Sequence, residues 1–81
     1  MAKLDVVIKS INKSLYDGLA DIVILKTVNG QIGIMANHIP VINVLSDGWA
    51  KIKNDDQEFL FDIKNAVAEV KNNRLCILCF E

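Results

Sequence analysis

Residues 20–35 read ADIVILKTVNGQIGIM. Two apolar runs flank Asn29-Gly30, and Asn and Gly are the residues that best tolerate the positive φ of a tight hairpin. Ile22 to Leu25 would be apolar on both faces of an extended strand. The second run, QIGIM, is short and kinked by Gly33. The pair reads as a β-hairpin. The stretch that follows, ANHIPVIN at 36–43, contains the only histidine and the only proline of the chain. His38 beside Ile39-Pro40 is either half of an active site or a corner of a scaffold.

Outward from this hairpin, turn signals recur at short intervals: Asp17-Gly18, Asp47-Gly48, Asn54-Asp55-Asp56 and Asn72-Asn73. Between them lie further β-type segments. KLDVVIKS (3–10) sets Leu4, Val6 and Ile8 on one face. PVINVLS (40–46) is apolar except for Asn43. WAKIK (49–53) alternates, with Lys51 and Lys53 on one side. EFLFDIK (58–64) gathers Phe59, Phe61 and Ile63, and AVAEV (66–70) and RLCILCF (74–80) finish the chain. In DIKNAVAEVKNN (62–73), Ile63, Val67 and Val70 also fit a helix face, but Asn65 can turn the chain and the alternation on either side favours strands. The pattern predicts an all-β fold, a small two-sheet sandwich of about eight to ten short strands, with 1–81 as one domain.

Of 81 residues, 52% are hydrophobic. A chain this short buries only roughly 60–65% of the surface its unfolded form exposes. Two small layers cannot hide so much apolar area, and contiguous exposed apolar area marks a partner site. The runs IVIL, VINVL and LCILC break the inside-apolar, outside-polar rule of a sandwich, so their outer faces are expected to meet another protein. Nine basic and ten acidic residues are interspersed, with a net charge of −1. No basic stripe suggests nucleic acid, and no run approaches the roughly 20 residues of a membrane span. Cys76 and Cys79 stand at i and i+3 of a strand, facing opposite ways, so they cannot pair. A reducing, cytoplasmic setting fits them.

Chemistry finds little footing. A metal would need His38, Cys76 and Cys79 to converge, and the two thiols point apart. In an apolar strand thiols behave as small hydrophobes rather than nucleophiles. Gly30 and Gly33 lie in a β setting with no lysine or following helix to hold a phosphate. Asp55, Asp56 and Glu58 read as a solvated hairpin tip. His38 is then a hydrogen-bonded corner or an interface residue. Asn43 must be satisfied by a bond or a partner, since an unpaired buried amide costs about 1–3 kcal/mol. Trp49 is expected in the core, with an interface role open. No catalytic residue, cofactor, metal or small-molecule substrate is expected.

From Gly18 to Lys53 the chain resembles the N-terminal β-sandwich of the epsilon subunit of rotary F-type ATP synthases, called delta in mitochondria. Leu4-Asp5-Val6-Val7 match the family's opening strand. Gly30, Gly33, Ile34, His38 and Pro40 match its Gly-x-x-Gly-Ile-x-Pro-Gly-His-x-Pro signature, Gly48 the next turn, and Glu69-Val70 with Asn73 the close. Ala36-Asn37 replace the signature's Pro-Gly, and Lys64-Asn65-Ala66 replace a Ser-Gly-Gly. The resemblance implies a non-catalytic rotor part that docks on the gamma subunit and the ring of c subunits, peripheral to the cytoplasmic side of the membrane. It implies that Ser10, His38 and Asn43 face gamma, and Ile42 and Val44 of the same apolar strand join them. It implies that Gln31, in the Asn29–Gly33 loop with Gly30 and Ile32, approaches the c ring. The family's C-terminal helical hairpin, which can restrain hydrolysis or bind ATP, has no counterpart before Glu81, and no such hairpin is expected here. A free-standing binding module, the rotor subunit of a specialised motor ATPase, and a small enzyme using Cys76 or Cys79 with His38 are the alternatives.

Overall fold

The computed structural model describes residues 2–45 and 47–80. Nine strands and no helix occur among them: β1 (Leu4–Lys9), β2 (Ser14–Ala20), β3 (Ile22–Thr27), β4 (Gly30–Met35), β5 (Val41–Leu45), β6 (Gly48–Asn54), β7 (Gln57–Ile63), β8 (Ala66–Lys71) and β9 (Arg74–Cys79). They form a five-stranded sheet, β2-β1-β9-β8-β5, packed on a four-stranded sheet, β4-β3-β6-β7. All pairings are antiparallel except β1 with β9. The chain is therefore the expected two-sheet sandwich, and the segment 62–73 is strand, turn and strand rather than helix.

Period-2 alternation builds the core. Leu4, Val6 and Ile8 of β1 meet Leu75 and Ile77 of β9 on one inner face, and Val23, Leu25, Ile34, Ile52 and Ile63 supply the other; all are at most 1% exposed. Each such side chain contributes about 1.5–3 kcal/mol by leaving water, which is how so thin a body holds together.

The turns follow a local rule. Asn37, Asp55, Asn65, Asn72 and Asn73 all have positive φ, the left-handed region that Asn and Asp tolerate best among residues with a side chain. Asn72 and Asn73, at φ 53 and 59, are the two central residues of the β8–β9 hairpin, as a type I′ turn requires. Gly30, at φ 116, sits in a region that only glycine enters cheaply.

Asp17-Gly18 is the exception. It is not a turn but the middle of β2, with Gly18 opposite Val6 and Asp17 opposite Val7. Gly18 is there for packing. The Tyr16 ring folds over it, so that a Cβ at 18 would touch the ring at 3.4–3.5 Å. Tyr16 donates its hydroxyl proton to the Leu19 carbonyl at 2.8 Å. Its ring meets Phe59 and Phe61 of the other sheet at 5.5 and 6.0 Å. The chain turns instead at 10–13, where the Ser10 N–H donates to the Lys13 carbonyl at 2.8 Å.

One end of the sandwich is clasped by polar groups. Lys3 Nζ donates to Asn54 Oδ1 (2.6 Å) and Asp55 Oδ1 (2.8 Å) and lies 3.1 Å from Asp21. Asp21 also accepts the Asp55 N–H at 2.7 Å. That backbone bond first, and Lys3 second, hold the Asp21 carboxyl below its ordinary 3.8. The bond to Asp55 raises Lys3 above 10.5. The β1–β2 and β3–β4 turns lie at the opposite end, because β1 and β3 both run away from the clasp.

Candidate functional site

Alternation decides which side chains reach the outside of the five-stranded sheet. Leu45 of β5 is in the core, so Val41 and Asn43 share its inner side and Ile42 and Val44 point outward. The register then carries the outer side across the sheet. Val44 stands beside Val67, Val67 beside Leu78, and Leu78 beside Lys9. A second row runs Ile42, Glu69, Cys76, Val7. Ile42 is 67% exposed, Val44 59%, Leu78 40%, and Phe80, just past β9, 49%. Phe80 is held there by its N–H to the Asn65 carbonyl, 3.0 Å. Ile42, Val67, Glu69, Cys76, Leu78 and Phe80 line a shallow groove of about 300 Å³. The same face turns polar toward the β8–β9 hairpin, where Asp5, Glu69, Lys71 and Arg74 surround a dip of about 500 Å³ and Arg74 faces Asp5 at 3.8 Å.

The expected contact residues do not form one patch. Ile42 and Val44 come together on the outer face. Asn43 turns to the inner side at the sheet edge, half-buried opposite Ala68, so it is separated from its two neighbours by the strand itself. Ser10 lies in the β1–β2 turn, while His38 lies in the β4–β5 loop at the clasped end, diagonally across the sheet. His38 is a corner residue: its Nδ1–H donates to the Ile39 carbonyl at 2.7 Å. Cys76 is half-buried on the outer face and Cys79 is buried inside, where burial pushes its thiol pKa up. Among the described residues no group of three or more His, Cys, Asp or Glu could hold a metal.

The β3–β4 hairpin forms a separate surface at the end away from the clasp. Thr27 staples it: its Oγ1 accepts the Asn29 N–H at 3.1 Å and donates to the Gly30 carbonyl at 2.8 Å. Asn29, Gly30 and Gln31 are exposed, whereas Ile32 packs against the core. Val28 in this turn and Ile11 in the β1–β2 turn are 64% and 69% exposed. Neither stood out in the sequence, because one apolar residue in a turn carries no periodic signal. Leu78 and Phe80 were foreshadowed only by LCILCF being apolar on both sides, and Val67 only by its place in the alternating AVAEV.

Trp49 is not in the core. Ala50 and Ile52 of β6 are buried, so Trp49 faces outward on the four-stranded sheet with Lys51 Nζ 5.7 Å from its ring centre. An outward tryptophan under a lysine is half-covered without a partner.

Known proteins share this arrangement. A family profile described as the beta-sandwich domain of the ATP synthase delta/epsilon chain matches residues 3–81. An ATP synthase epsilon chain of Gloeobacter violaceus is 35% identical over 75 residues, which is 93% of this chain and 57% of that one. One of Micrococcus luteus is 43% identical over 56 residues, 69% of this chain and 62% of that one. The chain thus spans less than two thirds of the length of these relatives. A chain in the cryo-EM structure of the Euglena gracilis mitochondrial ATP synthase superposes with a TM-score of 0.92 at 15% identity, covering 100% of this chain and 52% of that one. At that identity the likeness speaks to the fold.

Proposed function

Since this chain belongs to the ATP synthase delta/epsilon family through its beta-sandwich domain, we propose that it is a non-catalytic central-stalk part of a rotary ATP synthase or ATPase. It docks on the gamma subunit and the c ring, and lies peripherally on the cytoplasmic side of the membrane. The observation that carries this reading is the exposed apolar patch of Ile42, Val44, Leu78 and Phe80, joined through Val67. A monomer rarely leaves a contiguous apolar strip in water without a use for it.

The outer face of the five-stranded sheet is the gamma-docking surface, with Ile42 and Val44 at its centre. Ser10 and His38 bracket it at opposite ends, and Asn43 supports it from the inner side of β5. The hairpin Asn29, Gly30, Gln31 and Ile32, with Val28 beside it, is the c-ring surface. One surface is a broad face and the other an end, so both can be engaged at once. A body packed near crystal density transmits force between them with little give. Torque transfer needs this stiffness and no substrate chemistry.

The test is co-expression of this chain with the gamma subunit of the same organism. Ile42→Asp or Val44→Asp abolishes the complex while circular dichroism and the melting profile of the free chain stay unchanged. A complex that survives both substitutions overturns the assignment of this face.

A further inference from the structure

Asn73 is the link between the polar clasp and the loop that carries His38. Its side-chain amide makes two bonds to two distant segments. Nδ2 donates to the Lys3 carbonyl at 2.9 Å, and Oδ1 accepts the Asn37 N–H at 2.8 Å. Its own carbonyl accepts the Asp5 N–H at 3.2 Å. One residue of the β8–β9 turn thus ties down the entrance of β1 and the loop into β5. The tie to Lys3 is firm, because the Lys3 side chain is anchored by Asn54, Asp55 and Asp21 across the sandwich.

The loop needs this help. Asn37 sits at φ 63, where an L-residue pays a conformational penalty unless its surroundings impose it. Asn37 is followed by His38, exposed Ile39 and Pro40, and then by the edge strand that presents Ile42 and Val44. β5 pairs only with β8 in its sheet, so its start is set by whatever holds the loop before it.

We propose that Asn73 is a positioning residue: through the Asn37 N–H it fixes the His38 loop and the start of β5 in the geometry that gamma docks on. The proposal rests on the docking reading above. An asparagine serves here twice over. Its φ of 59 suits the turn, and its amide offers both the donor and the acceptor that the two segments require.

That double role supplies the test. Asn73→Gly keeps the positive φ at the second position of a type I′ turn, where glycine is favoured, and removes only the amide. Two measurements are made: hydrogen exchange at the Asn37 amide in the free chain, and the affinity for the gamma subunit, with Ile42→Asp as the reference for the face. Ile63→Val, a core change at the far end, controls for general loosening. Asn73→Gly is expected to speed exchange at Asn37 and weaken docking roughly five- to tenfold, as loss of one or two hydrogen bonds does. Ile63→Val leaves docking unchanged. If Asn73→Gly docks like the wild type, or if Asn37 stays protected, while Ile42→Asp still abolishes docking, the positioning role is wrong and the docking face stands. If Ile42→Asp docks normally, the face is wrong and the role of Asn73 falls with it. Equal weakening by Ile63→Val reduces Asn73 to a stabilising residue and also overturns the proposal.

Discussion

On the four-stranded sheet Lys51 stands opposite Ile24, and Lys53 opposite Ile22. On the five-stranded sheet Val44, Val67 and Leu78 stand side by side, and the first charge in the row is Lys9. Both outer faces leave apolar side chains exposed, Met35 and Leu60 on the first and Ile42 and Val44 on the second, but on the first, two lysines stand among them. Lys51 and Lys53 stand beside Ile24 and Ile22 in register, and Glu58 lies 3.7 and 3.8 Å from the two ammonium groups. Those exposed ion pairs add little stability in themselves. On the other face Glu69 stands beside Ile42, but Val44, Val67 and Leu78 follow one another with no charge between them, and this is the face proposed to dock gamma. An excess of apolar residues does not by itself mark an interface; the two faces differ in how many apolar side chains stand side by side in register.

The contrast is open to attack within a single strand. Ile77 and Leu78 of β9 are adjacent, one fully buried and one 40% exposed. Ile77→Ala should lower the unfolding free energy by about 2–5 kcal/mol, whereas Leu78→Ala should change it by less than about 1 kcal/mol, as partly exposed sites do. Denaturant titration measures both, and comparable losses would mean that the outer face is part of the core. Between the faces, Ile42→Asp should weaken gamma binding by at least about a hundredfold, the scale of an interface hot spot. Leu60→Asp, at a comparably exposed position on the lysine-bearing face, should leave binding within about twofold, since it lies outside the proposed contact. Equal effects in a binding titration would erase the distinction.

A chemical probe sharpens the same comparison. Cys76 is half-buried on the proposed docking face and Cys79 is buried in the core. In the free chain iodoacetamide should modify Cys76 and spare Cys79, whose buried thiol is also the harder to ionise. Binding of gamma should then protect Cys76, as read by mass spectrometry. The smallest effect concerns the clasp. The lowered Asp21 pKa contributes stability that is complete above 3.8 and is lost as pH falls through the lower folded value. The raised Lys3 pKa works the other way: its contribution is complete below 10.5 and is lost only as pH rises through the higher folded value. The stability gap between wild type and Asp21→Asn should therefore be flat through neutral pH and close below about pH 4. A gap that persists in acid would show that the Asp21 charge contributes nothing.

Much of this molecule could be read before folding. Asn65 and Asn72-Asn73 were legible as turns because positive φ is a local demand that few residues meet; at Asn29-Gly30 the turn proper is Val28-Asn29, and Gly30, with its positive φ, opens β4 opposite Thr27. Asp17-Gly18 uses the same letters for another purpose, since Gly18 leaves room for the Tyr16 ring, and that need arises only when β2 lies against β7. Strand β5 was legible as apolar and unusual. Period 2 already implies that Asn43 points away from Ile42 and Val44, whereas grouping residues by nearness in sequence ignores the strand's two sides. Trp49 lies outside the expected core for a related reason: its side is set by Ala50 and Ile52 taking the interior.

The order of residues alone settled strand character, the sites of most turns and the surplus of apolar surface, because these depend on alternation, backbone tolerance and composition, which act over a few residues. Which apolar side chains stand together on one outer face, and the meeting of Lys3, Asn37 and Asn73, belong to the folded body. Cross-strand neighbours meet only in register, and the amide of Asn73 reaches segments 36 and 70 residues away in the chain. No local pattern encodes such meetings; they exist only once two sheets have closed on a common core.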